Sequence, residues 1–131
     1  MIHALKDAQL IAQVALAAAG ASVSTEAFNL TQGPPHEPHF EVELSIPVLA
    51  DLADDKSVTA TLEDSEDGEN FAAIAALGEF AVTGAGGNGS AEAVSRVRLP
   101  SDTRQYVRAT VATEAAAGDL TASKFTMALV F

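Results

Sequence analysis

Apolar and polar residues alternate with a period of two in five segments of the chain. The pattern is clearest in 39–46, where even positions are apolar and odd positions polar, and it recurs in 57–63, 94–99, 104–111 and 125–131. A period of two places successive side chains on opposite faces of a β-strand. One apolar and one polar face per strand is typical of antiparallel sheets with one face in water. The sequence therefore predicts half-buried strands in an antiparallel arrangement.

Turn-forming residues separate these segments at short intervals. Pro47 ends the first strand, because proline cannot donate a hydrogen bond to a ladder, and Asp67-Gly68 indicates a turn after the second. Further turn signals are Gly33-Pro34-Pro35, the glycine-rich segment 84–89, Pro100-Ser101-Asp102 and Gly118-Asp119. This spacing predicts an all-β sandwich or barrel. Alternation alone does not distinguish a jelly roll from an immunoglobulin-like sandwich.

Two alanine-rich segments do not show a clear period. Helix propensity favours a helix over 4–19. The surrounding strands favour extended structure, which we expect over 8–16. The segment 70–77 with Gly78 behind it is compatible with two helical turns closed by a glycine cap, but it is too rich in alanine for its pattern to decide between helix and strand.

Size, charge and cysteine content exclude several classes of function. A chain of 131 residues predicts one domain over 1–131. The formal charge of −11 repels phosphate backbones and anionic lipid, so we expect no nucleic-acid and no membrane partner. Without cysteine there is no disulfide and no thiolate chemistry. The apolar stretch 10–19 is too short to span a membrane, and Asp7 near Lys6 is atypical of a signal peptide.

The segment 84–89 matches the pattern G-x-G-x-x-G of dinucleotide-binding loops. Such a loop has to open a helix inside a βαβ unit. Here a strand over 80–83 precedes it, and the alternating residues that follow predict another strand. We therefore expect a flexible hairpin loop and no cofactor.

Other candidate sites lack part of what their chemistry needs. The acidic segment 63–68 has glycine at the sixth place of a calcium loop, but Ile74 stands where the bidentate glutamate belongs. His36 and His39 have no third nearby ligand for zinc. No serine, histidine and acid form a recognisable triad. We expect no metal site and no enzymatic activity, with weak cation binding at the acidic turn left open.

All four arginines fall within 96–108. If 100–103 is a hairpin turn, alternation brings together one basic and aromatic patch made of Arg96, Arg98, Arg104, Tyr106 and Arg108. One hypothesis is that the arginines pair with Glu41 and Glu43 on a neighbouring strand. The other is that the patch contacts a protein partner, since Arg and Tyr are enriched at interfaces.

The N-terminal segment 1–13 is apolar at Ile2, Leu5, Leu10 and Ile11. A terminus without a binding surface has no use for such side chains, and termini are disordered unless docked. We expect this segment to be an arm or edge strand that docks on a neighbouring molecule.

The order of these features resembles the jelly-roll capsid cement, or decoration, proteins of tailed bacteriophages, of the type first known from a Bordetella phage. The resemblance covers nearly the whole chain and depends on order and spacing. One departure is Phe28-Asn29-Leu30, where the family more often has Ile-Asp-Leu, and the segments 50–56 and 36–39 are local to this chain. The features that match are Lys6-Asp7-Ala8-Gln9, the segment 24–30 before a Gly-Pro loop, the strands 40–44 and 58–62, Leu99-Pro100, the segment 104–108, and a terminal strand after a Gly-Asp-Leu-Thr turn.

The resemblance implies an all-β fold, a jelly-roll-like antiparallel β-sandwich of about eight strands. It also implies a protein that self-associates as a homodimer or homotrimer on the outer capsid surface of the virion, after synthesis in the host cytoplasm. There it would clamp neighbouring subunits of the major capsid protein, without cofactor or chemistry. The alternative is a carbohydrate- or surface-binding β-sandwich module, which the near-absence of Tyr and Trp disfavours.

Overall fold

The computed structural model describes residues 11–30, 41–100 and 102–130, with the side chain of Val130 left out. Within them a one-turn 3-10 helix, Ala75–Leu77, accompanies the strands. No helix in these ranges is long and apolar enough to cross a membrane. The strands are β1 (Ile11–Ala15), β2 (Ser22–Ser24), β3 (Phe28–Asn29), β4 (Glu41–Ile46), β5 (Ser57–Ser65), β6 (Ala72–Ala73), β7 (Glu79–Thr83), β8 (Ala93–Arg98), β9 (Tyr106–Thr113) and β10 (Lys124–Val130).

The strands form two antiparallel sheets. Sheet A has the order β1-β10-β4-β8, and sheet B has the order β2-β9-β5-β6. In sheet B, β3 also pairs with β9, and β7 also pairs with β5. Because β2 and β3 share one neighbour and β6 and β7 share another, the ten strand segments found in the described ranges fill eight strand positions, in line with the prediction of about eight.

The pairing follows one long hairpin that is wound into a sandwich. The first strand pairs with the last, β2 and β3 pair with β9, β4 pairs with β8, and β5 pairs with β6 and β7. Two further pairs, β10 with β4 and β5 with β9, join the turns of the wound hairpin. In an immunoglobulin-like sandwich the first strand lies beside the second. The strand order here is that of a jelly roll, which confirms the predicted fold class.

The core lies between the two sheets and is built from the apolar positions of the alternating segments. In β4 and β5 every second side chain is buried, and the side chains between them are half-buried. The inner face includes Val42, Leu44, Ile46, Val58, Ala60, Leu62, Val107, Ala109, Val111, Phe125, Met127 and Leu129. Alternation therefore predicted both the strands and the face that each strand buries.

The described parts of the two alanine-rich segments, 11–19 and 70–77, form no α-helix. Over 11–19 the chain forms β1 and a turn, so the helix is wrong there and extended structure is right. Over 70–77, where the sequence left helix and strand open, two helical turns do not form: Ala72-Ala73 pairs with β5, and only the single turn Ala75–Leu77 follows. Gly78 closes that turn by donating its N–H to the Ala75 carbonyl at 3.3 Å. Pairing with a strand edge overrode the high helix propensity of alanine, because tertiary contacts outweigh intrinsic propensity.

Candidate interaction surfaces

The structure separates the five residues of the predicted basic patch. β8 pairs with β4 at the edge of sheet A, whereas β9 lies inside sheet B between β2 and β5. The condition for a single patch, a hairpin turn at 100–103, is therefore not met, because β8 and β9 lie in different sheets. Arg96 and Arg98 lie on β8 of sheet A, whereas Tyr106 and Arg108 lie on β9 of sheet B, which Arg104 directly precedes. They do not form one patch, and their contact with a partner stays a prediction.

On sheet A, Arg96 and Arg98 pair with the glutamates predicted for them. The register places Glu43 opposite Arg96 and Glu41 opposite Arg98. The Arg96 Nη2 atom lies 2.9 Å from Glu43 Oε2, and the Arg98 Nη2 atom lies 3.8 Å from Glu41 Oε2. Exposed pairs of this kind contribute roughly 0–1 kcal/mol to stability. Cross-strand pairing is confirmed for these two arginines.

Arg104 binds Asp64 near the end of β5, and we call these two residues the clasp. The Arg104 side chain donates from Nε and Nη2 to Asp64 Oδ1 at 3.0 and 2.7 Å, and its backbone N–H donates to Oδ2 at 3.0 Å. Asp64 is only 9% exposed. Burial would raise the pKa of Asp64, but the hydrogen bonds and charge of Arg104 lower that pKa overall. The clasp connects the end of β5 to the segment that runs from sheet A to sheet B just before β9.

The acidic turn after β5 uses its carboxylate within the chain. Asp67 Oδ1 accepts the N–H groups of Glu69 and Asn70 at 2.8 and 2.9 Å and the Ser65 hydroxyl at 2.8 Å. The N–H groups of Asn70 and Glu69 are the main cause of a pKa for Asp67 well below the usual range. The calcium-loop pattern thus forms a hydrogen-bonded turn.

His36 and His39 lie outside the described residues. Among the residues that the structure describes, no group of three His, Asp or Glu side chains could hold a metal ion.

On sheet B, Arg108 and Tyr106 both contact neighbouring residues of the same chain. Arg108 Nε donates to Glu63 Oε1 at 2.8 Å, and the Thr110 hydroxyl donates to the same oxygen at 2.8 Å. The guanidinium carbon of Arg108 lies 4.0 Å from the centroid of the Phe71 ring, a cation–π contact. The half-buried Tyr106 ring lies beside Gly68, where an added Cβ would be 3.5 Å from it. Sequence analysis missed Glu63, Asp64 and Phe71 as partners, because the register of β5 against β9 is not visible in the sequence.

These pairings change the sign of the available surface charge. Each of the four arginines lies against a carboxylate of the same chain, and Lys56 pairs with Glu114 at 3.7 Å. Among the described basic residues Lys124 alone forms no ion pair. The charges free to meet a partner are therefore mostly carboxylates. A complementary partner surface would be basic.

One end of the sandwich is formed by the segments 16–21, 47–56, 84–92 and 114–123, which we call the four-loop end. Leu49 and Ser90 exchange two backbone hydrogen bonds of 3.0 Å, and Ala53 donates to Ala117 at 2.9 Å. The segment 84–89 does not join paired strands, so the hairpin expected there is wrong: it connects sheet B to sheet A. The four-loop end carries the exposed carboxylates of Asp51, Asp54, Asp55, Glu92, Glu114 and Asp119.

Glycine lets the loops of the four-loop end approach each other closely. A Cβ on Gly89 would overlap the carbonyl oxygen of Leu49, and one on Gly84 would overlap that of Ala53. The N–H of Gly87 donates to Asp54 Oδ1 at 2.9 Å. The G-x-G-x-x-G match thus reflects backbone packing and leads into strand β8 instead of a helix.

The predicted N-terminal arm is described only in part. Ile2, Leu5 and Leu10 lie outside the described residues. Ile11 begins β1 and is 47% exposed. Within the described residues β1 pairs on one side only, with β10, and the docking of 1–13 on a neighbouring molecule stays a prediction.

No family model matches the sequence, and no curated protein matches it either. Among solved structures, the chain is similar to the PBSX exported protein XepA, with a TM-score of 0.57 and 12% identity over 90% of this chain. The chain spans only 34% of that protein. A cowpea mosaic virus empty virus-like particle gives a TM-score of 0.46, with 16% identity over 93% of this chain and 78% of that chain. The naturally occurring empty top component of the same virus gives a TM-score of 0.42, with 15% identity over 93% of this chain and 80% of that chain. At this identity, the likeness to the exported protein supports the β-sandwich fold alone.

Proposed function

We propose that this chain is a phage capsid cement protein, which binds the outer surface of the shell and stabilises it by clamping neighbouring subunits of the major capsid protein. The observation that carries the proposal is the strand order. Alternation in the sequence did not distinguish a jelly roll from an immunoglobulin-like sandwich, and only the resemblance in the order of features implied a jelly roll. The pairing of β1 with β10 fits the first and not the second.

The four-loop end is the surface that we assign to the capsid contact. Its loops are joined by backbone hydrogen bonds and close glycine approaches, so its exposed carboxylates are held in place before binding. A surface that is already ordered loses less conformational entropy on binding. Because the described arginines are paired within the chain, the proposed contact pairs these carboxylates with basic groups of the shell. Such a surface also suits the outside of a DNA-filled particle better than its inside.

The proposed role is structural and not catalytic. The rival, a carbohydrate-binding module, needs exposed aromatic rings. Tyr106 packs beside Gly68, and Phe71 lies under the guanidinium of Arg108. Both rings are half-buried, and a glycan array would separate the two functions directly.

The test uses capsids assembled without this protein. Purified chain is added, and the particles are imaged by electron cryo-microscopy and heated to follow shell disruption. We expect regular extra density on the outer surface and a higher temperature of disruption. A chain that has been unfolded by heat and clarified serves as the control for nonspecific adsorption. Bare capsids with an unchanged disruption temperature would contradict the proposal.

A further inference from the structure

A cleft opens between the two sheets along one side of the sandwich. β7 and β8 face each other across it and are free edges of sheets B and A in the part of the chain that the structure describes. Leu44 and Leu62 form its floor, and Leu77, Phe80 and Val97 form its apolar walls. Including its open mouth, the cleft encloses about 350 Å³. The three wall residues pack against the core but stay only half-buried, so they keep apolar surface in water.

β8 is six residues long and, among the described residues, pairs on one side only, with β4. The free side of an edge strand carries unpaired backbone N–H and C=O groups, to which another extended segment can pair. Side chains of an added strand would alternate between solvent and the interior, so every second one would enter the cleft. The cleft and the free edge together fit an extended segment with spaced apolar residues.

We propose that this cleft binds residues 1–10 of a second copy of the chain, added as a strand to β8. The inference rests on the proposed function, for which it supplies the self-association contact. In an extended strand Ile2, Ala4, Ala8 and Leu10 share one face with Lys6, whereas Leu5 and Asp7 lie on the other face. The face with Ile2 and Leu10 is the one that enters the cleft, and the charges of Lys6 and Asp7 cancel. Ten extended residues span about 33 Å, enough to leave one molecule at β1 and cover the roughly 20 Å of a neighbour's β8.

The chain's own segment is poorly placed for the same cleft. β1 and β8 are opposite edges of sheet A, separated by β10 and β4. To reach β8, residues 1–10 would have to cross about 14 Å of the outer sheet face, over the ion pairs of Glu43 with Arg96 and of Glu41 with Arg98. A second molecule approaches the cleft from the side and covers none of these pairs.

Charge also favours this contact between copies. Two chains of formal charge −11 repel each other, so their interface has to form where charge is low. Among the residues that line the cleft, Glu79 is the charged one. Salt screens the repulsion between the molecules and leaves apolar burial intact. Self-association through the cleft is therefore expected to strengthen as salt is raised.

The test uses the absence of cysteine from the chain. Protein carrying Ala4→Cys is mixed with protein carrying Ser95→Cys, which lines the cleft, and the mixture is oxidised gently. The matched control replaces Ser95→Cys with Thr59→Cys, on the outer face of sheet B. We expect a disulfide-linked dimer of the two variants with Ser95→Cys and little with the control. Sedimentation of the unmodified chain is expected to show more dimer in high salt than in low salt.

Each other outcome overturns the inference. Equal crosslinking at Ser95→Cys and Thr59→Cys means random collision. A dilute double variant, Ala4→Cys with Ser95→Cys, that closes within one chain means that the cleft holds its own N-terminal segment. Capsid binding distinguishes a failure of this inference from a failure of the proposed function. Capsid decoration without a Ser95→Cys crosslink would contradict the inference and leave the proposed function in place. A Ser95→Cys crosslink without capsid decoration would support the inference and contradict the proposed function.

Discussion

Asp64 occupies an inward position of β5 at which the alternating pattern requires an apolar side chain. A buried carboxylate is costly unless it is paired and hydrogen-bonded. Arg104 supplies three hydrogen bonds to the carboxylate, and its Nη2 atom also donates to the Asp64 carbonyl at 2.8 Å. The clasp thus compensates for one polar position in the core, and it explains why β5 continues beyond its last apolar residue.

We expect Asp64→Asn to lower the free energy of unfolding by about 1–3 kcal/mol, because the buried position loses the charge that accepts three hydrogen bonds from the partly exposed Arg104. Arg104→Ala should lower the melting temperature in the same direction. The matched control is Arg98→Ala, which removes an exposed pair 3.8 Å long and should change little. Urea unfolding at neutral pH measures all three. Equal stability of Asp64→Asn and Arg98→Ala would contradict the assigned role of the clasp.

The clasp also predicts an acid dependence. Because the pKa of Asp64 is lowered in the folded chain, its contribution to stability is complete above the unfolded value of about 3.9. That contribution is lost as the pH falls through the lower folded pKa. Unfolding of the unmodified chain should therefore show a steeper loss of stability from about pH 5 to about pH 2 than unfolding of Asp64→Asn. Parallel profiles would show that Asp64 is not the titrating group.

The strands were the part of the fold that the sequence predicted best, because the polarity of each side chain indicates whether it faces the core or the solvent. Sheet membership was not predicted: β8 and β9 follow each other in the chain but lie in different sheets. Consecutive strands are neighbours in most folds, and this prior led to the wrong hairpin and the wrong arginine patch. Winding a jelly roll separates such strands. The partners of Arg96 were predictable because glutamates alternate in β4, whereas Asp64 lies 40 positions from Arg104 with no local signal.

Two glycines of the segment 84–89 provide a test of close packing at the four-loop end. Both have positive φ, at 69° for Gly89 and 72° for Gly87, but a Cβ meets the Leu49 carbonyl at the first and nothing within 4 Å at the second. Gly87→Ala should cost only backbone strain, roughly 1–2 kcal/mol. Gly89→Ala should cost clearly more, because the 84–92 and 47–56 segments have to separate. Thermal unfolding of the two variants compares them, and equal losses would mean that these segments do not pack as described.

At the scale of the whole molecule, the sequence predicted a jelly roll only through the order of its features, since no single motif is specific. It predicted the net charge but not where free charge lies. Four arginines in 96–108 indicated a positive surface, and the structure neutralises each of them with a carboxylate. Net charge can be counted from sequence, whereas the pairing of charges depends on register and on sheet order.

The position of free charge leads to a prediction about capsid binding. Asp51 and Glu92 are exposed on the four-loop end, and Glu66 and Glu69 are exposed at the turn on the opposite end of β5. Replacing either pair with lysine changes the net charge by the same amount, so the two double variants differ only in position. If the four-loop end meets basic groups of the shell, Asp51→Lys with Glu92→Lys should lose capsid occupancy, and Glu66→Lys with Glu69→Lys should keep it.

Salt separates this contact from the one between copies of the chain. Screening weakens attraction between a carboxylate surface and a basic shell, so occupancy of capsids should fall as salt rises. The same screening reduces repulsion between two acidic chains, so self-association should increase over the same range. Co-sedimentation with capsids and sedimentation of the free chain measure the two trends. If capsid occupancy is unaffected by salt and equal for both lysine variants, the four-loop end is not the shell contact. The contact would then be assigned to apolar surface, such as the exposed Ile11 of β1 in sheet A.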